Sequence, residues 1–211
     1  MSLLPSAWSP ECWSLPYFND RIRDVIYRKT HPWMPWLTPE ANRLLDALIQ
    51  PRHHVLEFGS GKSTLYFAER AAQVVSVEHQ PTWADRVEAW LKSKNLSSKV
   101  SLIRCLPGQT AEIPFTRPKQ QYDFILVDGV DRLNCANNSL PYLKPGGWLI
   151  LDNINRHVPS ESRAPGSIRS WTETAAGWKE LMAQLASCET HWTSNGITDT
   201  LLLRLPPEKI L

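Results

Sequence analysis

HVLEFGSGKST, residues 54 to 64, is the stretch that decides the fold. His54-Val55-Leu56-Glu57-Phe58 is a short, mostly apolar run, and it stops at the turn Gly59-Ser60-Gly61. From Lys62 to Ala71 the chain reads as helix. An apolar strand, a glycine turn and a helix in that order form the first unit of a parallel sheet whose crossovers are helical. Outward from it the alternation continues. Val74-Val75-Ser76-Val77-Glu78 is a β-branched strand, Pro81 to Lys94 a helix with Trp83, Val87, Trp90 and Leu91 on one face, and Val100 to Cys105 a third strand. Tyr122 to Asp128 is nearly all apolar, as a strand buried on both faces must be. A helix is expected from about Asp131 to Tyr142, a turn at Lys144 to Gly147 and a strand from Trp148 to Asp152. Ser170-Trp171-Thr172-Glu173 reads as a capping box opening a further helix. Glu189 to Thr193 and Thr200 to Leu205 form a terminal hairpin about Asn195-Gly196.

Upstream, Thr38-Pro39-Glu40 starts a helix with a hydroxyl cap, proline at its first position and an acid in its first turn. Residues 1 to 37 are rich in Pro and Trp, with a short helix expected around Asp20 to Lys29, and read as an extension of a main domain at 38–211. The fold class is therefore α/β: a doubly wound, Rossmann-like sheet, mostly parallel with an antiparallel terminal hairpin, and helices on both faces.

Two phosphate-binding readings of the glycine turn fail on spacing. A phosphate loop needs glycine five residues before Gly61, where Leu56 stands, and the dinucleotide fingerprint GxGxxG has Thr64 at its third glycine. Glu57, two residues before Gly59, would repel a pyrophosphate. It suits a ligand with an amine and a sulfonium nearby. The second strand ends in Glu78, whose two oxygens can accept both hydroxyls of a ribose. An NAD(P)-dependent oxidoreductase stays open as the alternative, and so does a non-catalytic binding module of the same fold.

HVLEFGSGKSTLYFA resembles the first motif of class I S-adenosylmethionine-dependent methyltransferases, and VVSVEH resembles their ribose-binding strand. YDFILVDG and LKPGGWLILDN are similar to their fourth-strand and fifth-strand segments. The resemblance runs from about residue 38 to 205. It implies transfer of a methyl group from S-adenosylmethionine to a small acceptor. Gly59, Ser60 and Gly61 would line the methionine and ribose part, Glu57 would orient that loop or the amino group, and Glu78 would hold the ribose hydroxyls. The adenine would lie near Cys105 and Leu106, and Asp128 would face the sulfonium and the acceptor.

Catechol-type O-methyltransferases, to which the chain is partly similar, hold a divalent cation. Asp128, Asp152 and Asn153 supply oxygen ligands suited to Mg²⁺. The lysine base of that group is missing, because Gly129-Val130-Asp131-Arg132 follows the aspartate. Asp152-Asn153 also reads as a plain turn former. The pattern VDGxxRxxC…LKPGGxLILDN more closely resembles bacterial methyltransferases of unassigned acceptor, some acting on sugars or other small hydroxyl compounds. A hydroxyl acceptor calls for a general base, and Asp128, Asp131 and His157 are the candidates. Residues 154 to 169 read as a lid whose Arg156, Arg163 and Arg169 could hold an acidic acceptor, or equally as a solvated loop.

Composition narrows the partners. Net charge is +2, from 23 basic and 21 acidic side chains, which gives no electrostatic reason for nucleic acid or a membrane surface. Four scattered cysteines read as reduced thiols. With no signal-peptide pattern and no long apolar run, a cytoplasmic location is expected. Four of the ten tryptophans, Trp8, Trp13, Trp33 and Trp36, crowd the N-terminal arm. They read as packing elements or as an aromatic wall for the acceptor, and the arm could serve as the interface of a homodimer.

Overall fold

A computed structural model describes residues 14–112 and 121–207 of the chain. Trp8, Cys12 and Trp13 lie outside the described residues. Helix α1 (Leu15–Thr30) is followed by α2 (Pro39–Leu48), β1 (His54–Phe58), α3 (Lys62–Arg70) and β2 (Gln73–Glu78). Then come α4 (Pro81–Ser93), β3 (Val100–Arg104), β4 (Tyr122–Val127), α5 (Arg132–Ser139) and β5 (Leu143–Asp152). Helix α6 (Ala176–Gln184) precedes the hairpin β6 (Glu189–Ser194) and β7 (Asp199–Arg204).

The seven strands form one sheet in the order β3-β2-β1-β4-β5-β7-β6. The pairs among β1 to β5 are parallel, and β7 lies antiparallel between β5 and β6. The order of strand addition reverses between β1 and β4, outward to β2 and β3 on one side and then on to β4 and β5 on the other, so the connections there run to opposite faces of the sheet and open a crevice beyond the strand ends. That crevice lies beside Gly59 and Asp128.

Alternation along the strands divides the core. Phe58, Val77, Ile125, Val127, Leu149 and Leu203 meet Ala136, Leu140, Trp178 and Leu181 from the α5 and α6 side. Val55, Val74, Phe124, Leu126 and Ile150 meet Leu45, Leu65, Tyr66, Val87 and Leu91 from α2, α3 and α4. Burial of each such aliphatic side chain is worth about 1.5–3 kcal/mol, so both layers are fixed by packing.

Three elements differ from the expectation. The capping box does not form: Ser170 Oγ donates to Glu173 Oε1 at 3.3 Å, the Glu173 amide bonds the Ser170 carbonyl at 3.1 Å, and the Glu173 carboxylate accepts from the Arg169 amide at 3.1 Å. The segment stays in turns and helix begins only at Ala176, because Ala175 is extended (ψ 147°). Trp171 is consequently exposed. Helix α5 ends at Ser139, and Pro141, which lacks an amide proton, sits in a 3-10 turn (Leu140–Tyr142). The Lys144–Gly147 turn is a bulge within β5, since Tyr122 pairs with Leu143 while Phe124 already pairs with Trp148.

Helix α1 is longer than expected and is tied to the far end of the chain. Asp20 pairs with Arg163 at 2.8 Å, and Asn195 donates to Asp24 at 3.1 Å. Trp33 meets the edge of Trp90, while Trp36 lies beneath the Arg28 and Lys62 cations. Among the described residues no helix is long and apolar enough to cross a membrane.

Candidate active site

Beyond the ends of β1, β2 and β4 lies a cleft of about 390 Å³, lined by Gly59, Ser60, Glu78, Trp83, Asp128 and Arg132 among others. A larger cavity of about 560 Å³ lies between α1, the start of α2 and the 194–196 turn. Four residues expected from the sequence, Gly59, Ser60, Glu78 and Asp128, converge in the smaller one.

The glycine turn owes its shape to backbone contact. Gly59 has φ +95°, and a Cβ there would stand 2.8 Å from the Gly129 amide nitrogen. The β1 and β4 loops thus touch main chain to main chain, and the Asp128 amide donates to the Phe58 carbonyl at 2.9 Å. Gly61 differs: a Cβ there would meet only Ser63 Oγ, at 3.9 Å.

Glu78 is buried at the tip of β2, and its carboxylate is held before any ligand arrives. Oε2 accepts from the Ser60 amide at 3.1 Å and its hydroxyl at 2.9 Å; Oε1 accepts from the Gln80 amide at 2.8 Å. Trp83 Nε1 donates to the Ser60 carbonyl at 2.6 Å and fixes the loop from the other side.

Glu57 lies wholly inside. Its Oε2 accepts from Thr64 Oγ1 at 2.5 Å and Ser76 Oγ at 2.7 Å, and Thr64 Oγ1 accepts from the Gly61 amide at 2.9 Å. The acid therefore braces the glycine turn through Thr64, the residue that spoils the dinucleotide fingerprint. Burial raises its pKa to about 7, against the lowering effect of the Ser63, Thr64 and Ser76 hydroxyls. A raised pKa means the folded state keeps a proton that the unfolded chain releases above about 4.5, so stability falls as pH rises towards 7. Glu57→Gln is expected to lose that slope. Between pH 5 and 7.5, denaturant unfolding should show the variant gaining roughly 1–3 kcal/mol on the wild type. Parallel curves for the two proteins would mean that Glu57 is ionised throughout.

Asp128 closes the cleft at the tip of β4. Its Oδ1 accepts from Arg132 Nη2 at 3.1 Å, and the same nitrogen donates to the Asp128 carbonyl at 3.1 Å and to Asn153 Oδ1 at 3.0 Å. Asp152 is buried beside it: Oδ1 accepts from Thr200 Oγ1 at 2.6 Å and Oδ2 from Asn153 Nδ2 at 2.8 Å. Burial raises the pKa of both aspartates, and Asp128's charge adds to the rise at Asp152.

The remaining expected residues are placed elsewhere. Asp131 is exposed and accepts from Asn134 Nδ2 at 2.9 Å. His157 stacks on Trp178 with ring centroids 4.5 Å apart, and burial, helped by Arg132 and Arg156, lowers its pKa to about 4. Cys105 bonds through its amide to the Glu78 carbonyl at 3.0 Å, and the Leu106 side chain is exposed at the β3 tip. Two of the three lid arginines are engaged internally. Arg163 holds Asp20, and Arg169 donates to the Ser160 and Ser162 carbonyls at 2.9 and 2.5 Å.

The site also contains residues to which the sequence reading gave no role, namely Arg132, Trp83, Gly129 and Gln80. An Asp–Arg spacing of four was available as a signal for Arg132.

Residues 56–154 match the family model described as a methyltransferase domain. No curated protein matches the chain. Among solved structures, the O-methyltransferase from Bacillus cereus in complex with S-adenosylhomocysteine is 19% identical, with TM-score 0.61, covering 88% of this chain and 90% of that one. TomG from Streptomyces achromogenes, an O-methyltransferase involved in tomaymycin synthesis and solved with S-adenosylmethionine, is 17% identical with TM-score 0.58, covering 88% and 89%. An rRNA methylase from Streptococcus thermophilus shares the fold at 11% identity and TM-score 0.54, covering 79% and 95%. The sheet order and the matched model agree: residues 56–154 belong to a methyltransferase domain, and the chain has the fold of class I S-adenosylmethionine-dependent methyltransferases.

Proposed function

We propose that this protein transfers a methyl group from S-adenosylmethionine to a hydroxyl oxygen of a sugar or other small molecule. The observation that carries the reading is the convergence, in one cleft, of an oriented buried carboxylate, Glu78, with Asp128 and Arg132. The bound cofactor supplies a sulfonium methyl, an electrophile that needs no acid catalyst. The chain's residues have three tasks. Glu78 accepts the two ribose hydroxyls, the Ser60 hydroxyl turning aside to free a lone pair. Gly61 leaves room beside the turn for the methionine part, and Glu57 braces that turn from beneath. Asp128, 30% exposed, takes the acceptor's proton as the acceptor oxygen gains the methyl.

Asp128 is favoured over the other two base candidates because it alone of the three lines the cleft. Catalysis then rests on in-line positioning and proton removal. The similar O-methyltransferases and the nearly balanced charge support a small acceptor over a nucleic acid.

The test is calorimetric titration with S-adenosylhomocysteine, with NAD as the comparison. Saturable micromolar binding of the first is expected, followed by methyl transfer from labelled cofactor in a screen of sugars and phenols. Tight NAD binding with no response to S-adenosylhomocysteine would overturn the reading.

A further inference from the structure

We infer that Arg132 is the resident cation of this site, its guanidinium taking the position between Asp128 and Asn153 that a divalent metal ion would need. The inference rests on the proposed methyl transfer. Its evidence is where the oxygens point.

The motif expectation assigns Mg²⁺ to Asp128, Asp152 and Asn153. A magnesium ion needs its ligand oxygens free and converging at about 2.0–2.1 Å. Here they converge on nitrogen. Arg132 Nη2 lies 3.1 Å from Asp128 Oδ1, 3.1 Å from the Asp128 carbonyl and 3.0 Å from Asn153 Oδ1. Asp152 lies against Asp128, and each of its oxygens already accepts a hydrogen bond, one from Thr200 and the other from Asn153. The Asn153 amide is fully used, since Nδ2 also donates to Thr198 Oγ1 at 2.6 Å. The donor set therefore does not fit a divalent ion while Arg132 is in place.

Arginine suits the task physically. Its guanidinium stays charged at any working pH, and its planar fork can bond several oxygens at once. Arg132 lines the cleft with its side chain 19% exposed. Its Nε is buried and has no hydrogen-bond partner among the described residues. A fixed positive charge beside the acceptor oxygen favours loss of its proton, as a metal would, without an ion to bind or release. The stretch after Asp128 that lacks the catechol-type lysine thus supplies, in Arg132, a cation at the position of that pattern's metal.

The test uses Mn²⁺ as the probe, followed by electron paramagnetic resonance, on the full chain and its variants, with S-adenosylhomocysteine titrated in parallel. The wild type is expected to bind no stoichiometric Mn²⁺ at about 1 mM, and chelation should leave S-adenosylhomocysteine affinity unchanged. Arg132→Ala vacates the position between the oxygens and should bind Mn²⁺ at least about tenfold more tightly than the wild type. Arg132→Lys, which keeps the charge, should not. Tight Mn²⁺ binding by the wild type, lost in Asp152→Asn, would overturn the inference. So would a folded Arg132→Ala protein that gains no affinity, because the oxygens would then be no latent metal site. If Arg132→Ala fails to fold, Arg132→Met carries the same test, and the wild-type arm decides independently. Failure of S-adenosylhomocysteine to bind any of these proteins would count against the methyltransferase reading instead.

Discussion

Replacing Glu78 by alanine is expected to weaken S-adenosylhomocysteine binding about a hundredfold. The carboxylate is aimed by the Ser60 and Gln80 amides and the Ser60 hydroxyl, so no ordering is needed when a ribose arrives. Two hydroxyls donating to a buried carboxylate make charge-assisted bonds, about 1.5 kcal/mol each. Together they amount to roughly 3 kcal/mol, or two factors of ten in affinity. Glu78→Gln keeps one acceptor oxygen and should lose about tenfold. Calorimetry reads both directly. A melting curve guards against a trivial cause, since the alanine variant also strands the Ser60 and Gln80 amides. If a folded Glu78→Ala protein keeps wild-type affinity, the cofactor does not lie along β2.

The expectation about Glu78 was legible because strand ends are written locally. A β-branched run stopping at an acid, just before Pro81 opens the next helix, places that carboxylate at a sheet tip. For the same reason His54–Phe58 was placed to the residue. What escaped was non-local. Arg163 looked available for an acceptor but is held by Asp20, 143 residues earlier. His157 looked like a base in a loop, yet it lies flat on Trp178 from α6. The missing lysine after Asp128 was plain in the sequence. That Arg132 reaches back to Asp128 and across to Asn153 depends on the β4 and β5 ends lying side by side. The helix start misread at Ser170 is a different failure. The sequence pattern of a capping box is there, but Glu173 accepts from the Arg169 amide instead of the Ser170 amide, and the extended Ala175 stops a helix before it can propagate.

The two glycines of the turn should separate folding from binding. Gly59→Ala is expected to cost about 3 kcal/mol or more, because two penalties coincide. Its φ of +95° lies where an L side chain is strained, and its Cβ would press on backbone alone, 2.8 and 2.9 Å from the Gly129 nitrogen and Cα and 3.1 Å from the Asp128 carbonyl carbon. No rotamer relieves a contact with main chain. The loops after β1 and β4 must part instead, carrying Ser60 away from Glu78. At about 2–4 °C per kcal/mol for a chain of this size, the melting temperature should fall by roughly 6–12 °C, and cofactor binding should fall with it. Gly61→Ala faces none of this: its backbone is extended (φ 174°) and its Cβ would touch only Ser63 Oγ at 3.9 Å. It should melt like the wild type and bind S-adenosylhomocysteine more than about tenfold more weakly, because the methyl occupies ligand space. A Gly61→Ala protein with undiminished affinity would place the methionine part away from the turn. A Gly59→Ala protein with wild-type stability would mean that the β1 and β4 loops are not in backbone contact.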